Sequence, residues 1–137
     1  MVIRDALEQD LPAIAEIQSA APEASRWNPG DYLTFECLVA EQEGRVVGFV
    51  VARPVAGGEC EILNLAVAPG VRRRGIGRQL LGDVLQRHPG EFFLEVRESN
   101  QAARQFYRRF GFQAITKRLQ YYNHPVETAI VMKLYSC

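Results

Sequence analysis

Seven consecutive residues, Arg72-Arg73-Arg74-Gly75-Ile76-Gly77-Arg78, combine cations with two closely spaced glycines. They follow a Pro69-Gly70 stop and precede an amphipathic run, so they read as the turn from a strand into a helix. The first amides of a helix have no intrahelical acceptor, and glycine removes the side chain that would hold a ligand away from the backbone. With the helix dipole and the guanidinium groups added, the turn suits the two phosphates of a pyrophosphate. A dinucleotide fingerprint is excluded because Leu80 stands where a third glycine is required, and a P-loop because no Gly-Lys-Ser/Thr follows. A solvated basic turn capped by glycines remains the alternative.

Around that turn, Leu65-Ala66-Val67-x-Pro69 followed by Arg72-x-x-Gly75-x-Gly77 resembles the acetyl-coenzyme A signature of the GNAT family of N-acetyltransferases. Leu94-Glu95-Val96-Arg97-x-x-Asn100-x-x-Ala103, then Phe106-Tyr107-x-x-x-Gly111-Phe112, resembles the second half of that signature. Together they are similar to one branch, the alanine N-acetyltransferases of bacterial ribosomal protein S18. The likeness is close over residues 60–134 and loose over residues 1–59. It implies an α+β fold, with a mixed, mostly antiparallel sheet, flanking helices, and two parallel strands that splay to hold acetyl-CoA. In such a fold the backbones of Leu65, Ala66 and Val67 pair with the pantetheine arm like an added strand. The pyrophosphate then falls to Arg72, Arg73, Arg74, Gly75, Ile76, Gly77 and Arg78, and Asn100 bonds the cofactor arm. No metal is implied.

Acetyl transfer to an amine poses two proton problems. The ammonium must lose a proton before it attacks the thioester, and the departing thiolate must be protonated or stabilised. The resembled branch implies Glu95 as base and Tyr107 as acid. The residues by themselves leave other roles open. Glu95 alternates out of the core between Leu94 and Val96 and equally suits an edge charge paired with Arg97 or Arg118, and Tyr107 suits a core tyrosine with a bonded hydroxyl. Asn100 is also a plausible helix cap. The implied acceptor is a primary amine, foremost a protein N-terminus such as the S18 alanine. The competing readings are a small-molecule amine acetyltransferase and a non-catalytic acyl-CoA-binding or ribosome-associated module. The branch closes its last hairpin with a longer loop before a Glu-Asp-Ala run. Here Tyr121-Tyr122-Asn123-His124-Pro125-Val126 leads directly to Glu127-Thr128-Ala129, with Thr128 in place of the acid.

Composition narrows the classes further. A chain of 137 residues reads as one domain, 1–137, large enough to bury a core without staples. Sixteen Lys and Arg balance sixteen Asp and Glu, which argues against a dedicated nucleic-acid binder. Three scattered cysteines, Cys37, Cys60 and Cys137, suggest neither a disulfide framework nor a zinc site. No run has the length of a signal-peptide core or of a bilayer span, so a soluble cytoplasmic enzyme is expected.

The elements that must position these residues follow from patterning. A strand is expected at Val2–Arg4 and a helix at Gln9–Ala20, with Asp10 as N-cap and Pro12 in its first turn. Trp27 and Tyr32 are aromatic candidates for either the acceptor cleft or the core cover, and Asp31–Leu33 for a helical turn. Two β-rich runs, 37–41 and 46–52, flank a hairpin turn, and a core strand follows from Glu61 to Val67. A helix over 79–86 with Ile76, Leu80, Leu81, Val84 and Leu85 on its buried stripe leads to a parallel strand at 92–96. His88, in the stop after that helix, reads as solvent-facing. The helix after Asn100 buries Ala103, Phe106, Tyr107 and Phe110, and strands at 112–121 and 128–134 close the chain around a turn containing His124.

Overall fold

The computed structural model describes residues 1–21, 27–72, 74–122 and 126–136. Arg73, the turn carrying His124, Cys137 and the Pro22-Glu23 break lie outside the described residues. Seven strands and three α-helices alternate as β1 (Val2–Asp5), α1 (Leu11–Ser19), β2 (Glu36–Gln42), β3 (Arg45–Val55), β4 (Glu59–Val67), α2 (Ile76–Arg87), β5 (Gly90–Arg97), α3 (Gln101–Phe110), β6 (Gln113–Tyr122) and β7 (Glu127–Ser136). They form one sheet of order β1-β2-β3-β4-β5-β7-β6, antiparallel throughout except between β4 and β5. This is the mixed, mostly antiparallel α+β architecture that the motifs imply.

Local chemistry explains the connections. Glu43 and Gly44 both take positive φ, 53° and 75°, which matches the twist of a two-residue hairpin between β2 and β3. The parallel β4–β5 pair needs a crossover, and α2 supplies it, laying Ile76, Leu80, Leu81 and Val84 on the sheet. That face also receives α3, with Tyr107 buried and Phe106 beside it. On the opposite face α1 packs against β3 and β4, and its cluster of Ile14, Ile17, Tyr32, Val39, Phe49, Val51 and Leu63 takes nothing from β5, β6 or β7. Half of that face is therefore left without the α1 cover.

Two expectations are corrected. A short 3-10 turn at Glu8–Asp10 precedes α1, and Asp10 stands at the N-cap position of that helix as expected, but its side chain makes no capping bond there. Its carboxylate accepts from the Leu7 amide at 2.7 Å and from Arg4 at 2.8 Å, because a guanidinium and a loop amide reach it on the side away from α1. Those bonds hold the Asp10 carboxyl below the usual carboxylate range. His88 does not simply face solvent either. Packing of α2 against β2 brings its ring onto the Glu36 carboxylate, with Arg87 joining Glu36 and Asp5.

Candidate active site

The site begins where β4 and β5 part. Their parallel pairing covers Glu59↔Glu91, Cys60↔Phe92, Glu61↔Phe93 and Ile62↔Leu94, and there it stops. Beyond that point β4 stays with β3 as far as Val67, while β5 stays with β7 as far as Arg97. The cause is a bulge. Val51 pairs with Asn64 but Ala52 pairs with Ile62, so Leu63 is an extra residue that bends β4 and increases its twist.

The bulge also exchanges the faces of β4. Before it, Cys60 and Ile62 pack toward α2; after it, Leu65 and Val67 do so, while Asn64 and Ala66 turn toward α1. Asn64 thus enters a buried amide–phenol network. Its Nδ2 donates to Gln18 Oε1 at 3.0 Å and to the Tyr32 hydroxyl at 3.2 Å, and the Gln18 Nε2 donates to the Trp27 carbonyl at 2.8 Å. Tyr32 also donates to Gln18, and burial pushes its hydroxyl up to about 12. Tyr32 is therefore core, fully buried, whereas Trp27 is 39% exposed. Asn64 Oδ1 accepts from the Leu65 amide at 3.0 Å. The Ala68 amide bonds β3 at Val47, so alternation turns the Leu65 and Val67 backbone groups toward the opening between the strands. This network escaped sequence reasoning. Its only signal was one amide inside the apolar run Ile62-Leu63-Asn64-Leu65-Ala66-Val67.

The turn after β4 enters α2 through Gly75, whose φ of 80° is a left-handed value that disfavours side chains. No side chain caps α2, so its first amides point outward from a glycine-lined start. An added Cβ at Gly75 would meet nothing within 4 Å, so that glycine serves the backbone angle; one at Gly77 would lie 3.6 Å from Phe106, an ordinary contact. Arg74 and Arg78 are exposed, Ile76 is buried beneath the turn, and Arg72 folds back so that its Nε donates to the Val67 carbonyl at 3.2 Å. An open helix start beside an open strand edge fits an elongated ligand with a pyrophosphate at one end and amides along its length.

Glu95 is the first β5 residue past the last β4 pair. Phe92, Leu94 and Val96 face α2, so Glu95 faces the side of the sheet that α1 leaves uncovered. Its Oε1 accepts from Arg118 Nη1 at 2.6 Å, and its Oε2 is buried with no close hydrogen bond among the described residues, while the Tyr121 hydroxyl interacts with the same carboxylate. Tyr107 is buried on the α2 side of the sheet, edge-on to Phe112, and burial raises its hydroxyl well above the ordinary tyrosine value. It stays protonated at neutral pH. Tyr121 and Tyr122 on β6 are raised too, chiefly by burial and next by the charge of Glu95. Asn100 caps α3, its Oδ1 accepting from the Ala103 amide at 3.1 Å, which leaves the Nδ2 face of the amide for a further partner. Glu127 ties the loop before α3 to β7 by accepting from the Ser99 amide at 2.6 Å, and bonds from Ser99 and Arg97 hold it below the usual carboxylate range.

The arrangement places a carboxylate and a protonated phenol on opposite faces of one sheet. That is a layout for taking a proton on one side and giving one on the other. Leu65 and Val67 of β4, Ile76 of α2 and Tyr107 of α3 share one cluster on the α2 face, while Glu95 stands on β5 just past its last pair with β4 and Asn100 at the start of α3. No helix among the described residues is long and apolar enough to cross a membrane.

Comparison with known proteins identifies the family. The chain is 35% identical over 139 aligned residues to the [ribosomal protein bS18]-alanine N-acetyltransferase of Escherichia coli, spanning 91% of this chain and 90% of that one. It is 33% identical over 128 residues to the peptidyl-lysine N-acetyltransferase YiaC of the same organism, spanning 83% and 84%. The crystal structure of the Escherichia coli ribosomal-protein-S18-alanine N-acetyltransferase superposes with a TM-score of 0.82 at 30% identity, covering 97% of this chain and 92% of that one. The model of the acetyltransferase (GNAT) family matches residues 3–112, and with it the chain belongs to that family and is an acetyl-CoA-dependent N-acetyltransferase.

Proposed function

We propose that the chain acetylates a protein N-terminus, foremost the alanine of ribosomal protein S18, with Glu95 as base and Tyr107 as acid. The observation that carries this reading is the position of Glu95, one residue past the end of the β4–β5 pairing, with Tyr107 on the other face of the sheet. The relatives named above act on S18 alanine and on peptidyl lysine, and both acceptors are amines of polypeptides. In the proposed reaction Glu95 receives a proton from the incoming ammonium, directly or through water. The freed amine attacks the thioester carbonyl, the C–N bond forms as the C–S bond breaks, and Tyr107 donates to the departing thiolate. Leu65, Ala66 and Val67 align the pantetheine arm through their backbones. Gly75, Ile76, Gly77 and Arg78 hold the pyrophosphate with their amides, Arg72, Arg73 and Arg74 add charge, and Asn100 bonds the arm with the part of its amide that does not cap α3.

The test pairs acceptors and variants. A peptide beginning with the S18 N-terminal sequence, an N-terminally blocked peptide with one lysine, and a polyamine are compared at saturating acetyl-CoA. The N-terminal alanine peptide is expected to lead by about tenfold or more in kcat/KM. Preference for the lysine peptide or the polyamine would transfer the acceptor assignment to that amine. Glu95→Gln is expected to keep acetyl-CoA affinity while turnover falls by roughly a hundredfold or more, most severely at low pH. Wild-type turnover in Glu95→Gln across the pH range would remove the base from the mechanism.

A further inference from the structure

Glu95 is already holding a cation. Arg118 Nη1 donates to Glu95 Oε1 at 2.6 Å, and the same guanidinium lies 4.2 Å from the centroid of the Tyr121 ring. A carboxylate and an aromatic face are what a protein uses to hold an ammonium group. The pair is unequal in exposure, 12% for the Glu95 side chain and 53% for that of Arg118. The carboxylate is the buried partner, and the guanidinium already stands half in solvent. Glu95 Oε2 is buried and accepts nothing from Arg118, so the carboxylate keeps acceptor capacity that Arg118 leaves unused. The backbone beneath Arg118 is also irregular. Between the pairs Arg118↔Ala129 and Tyr122↔Glu127 the register of β6 shifts, and Gln120 sits at φ 53°. The neighbouring cation, Arg97, is taken up by Glu127 and the Tyr122 ring.

We propose that Arg118 is a built-in competitor for the acceptor's cation: its guanidinium occupies the Glu95–Tyr121 site, and the incoming ammonium must displace it. Arg118 thereby sets the affinity for acceptor amines and admits only those whose other contacts outweigh the exchange. The exchange is cheap on the Arg118 side, because its guanidinium is already half in water and regains hydration as it leaves. It also leaves no buried charge unpaired, since one cation replaces another on the same carboxylate. This inference rests on the reading that Glu95 meets the acceptor amine.

The experiment uses full-length Arg118→Ala and Arg118→Gln, with Glu95→Gln as reference, in steady-state assays with the alanine peptide at saturating acetyl-CoA. Methylguanidine serves as a free stand-in for the arginine head group. The expected result for both Arg118 variants is a peptide KM lowered about three- to tenfold with kcat within about twofold of wild type. Methylguanidine should inhibit them competitively with peptide at concentrations about tenfold below those needed for wild type. A peptide KM that is unchanged or raised would overturn the proposal, as would a kcat loss above about tenfold in the better-folded variant, which would make Arg118 a positioning residue for Glu95. Equal methylguanidine inhibition of wild type and variants would overturn it too. If Glu95→Gln keeps wild-type turnover, the failure lies with the base assignment; if Glu95→Gln is impaired and the Arg118 variants behave as wild type, it lies with the competitor.

Discussion

The starts of α2 and α3 lie on the same side of the sheet, each just after one of the two strands that part, yet they are finished differently. Asn100 closes α3 by accepting from Ala103, and Glu127 secures the loop before it. At α2 no side chain takes that role, and Gly75 in a left-handed conformation leaves the first amides facing outward. A capped start is a stable support for side chains, and α3 presents Tyr107. An uncapped one leaves its own amides open to an anion, here with arginines around them. The start of α1 is a third case. It is uncapped as well, but a proline occupies its first turn and the Asp10 carboxylate is drawn off by Arg4 and Leu7, so it presents neither a cap nor an anion site.

The contrast can be broken first at the side chain that α3 presents. Tyr107→Phe removes one oxygen from a buried ring, so fold and acetyl-CoA affinity should persist while turnover falls about ten- to thousandfold. Thiolate becomes a better leaving group unaided as pH passes the free thiol value of about 8.5, so the ratio of mutant to wild-type rates should rise toward alkaline pH. A ratio near one at every pH would make Tyr107 a core residue only.

Converting α2 into a capped helix is the next test. Gly75→Asp places a carboxylate among the open amides and opposes the charge of a pyrophosphate, and calorimetric titration should show acetyl-CoA affinity lowered by about tenfold or more. Gly77→Val should also weaken binding, because its branched side chain extends beyond the Cβ position that packing tolerates. Unchanged affinity in both would mean that the amides of α2 do not hold the phosphates.

Smaller effects come from the two other helix starts. Asp10→Asn gives up a charge-assisted pair, and melting at neutral pH should show a loss of about 2 kcal/mol. The folded-state pKa of Asp10 lies below its unfolded value, so its contribution is present above the ordinary carboxylate range and is lost as pH falls through the folded value. The variant should accordingly lose less stability than wild type on acidification. Asn100→Ala removes one cap, about 1 kcal/mol, or a drop of about 4 °C in Tm. A larger fall in acetyl-CoA affinity than in stability would show that the Asn100 amide serves the ligand as well as the helix.

Much of the cofactor half was legible in the order of residues because its signals are local. The Pro-Gly stop, the Gly75-x-Gly77 pair and the apolar stripe of α2 lie within twenty residues of one another, and each acts on its own backbone. The strands were legible as well, to within a few residues at their ends. The hairpin between β2 and β3 follows from two residues at positive φ, and the crossover through α2 from the need to return to a parallel strand.

What only the tertiary structure decided involves partners distant in the chain. A bulge is defined by the register of two strands, so Leu63 and the turning of Asn64 toward Gln18 and Tyr32 had no signature beyond one amide in an apolar run. The pairing of Glu95 with Arg118 rather than Arg97 depends on β7 lying between β5 and β6, which puts two residues 23 positions apart on one face. His88 meets Glu36 across 52 positions because α2 packs against β2. Sequence determines which groups can act through their own backbone and nearest neighbours; folding decides which charge each side chain meets, because electrostatic and hydrogen-bond partners are chosen by distance in space.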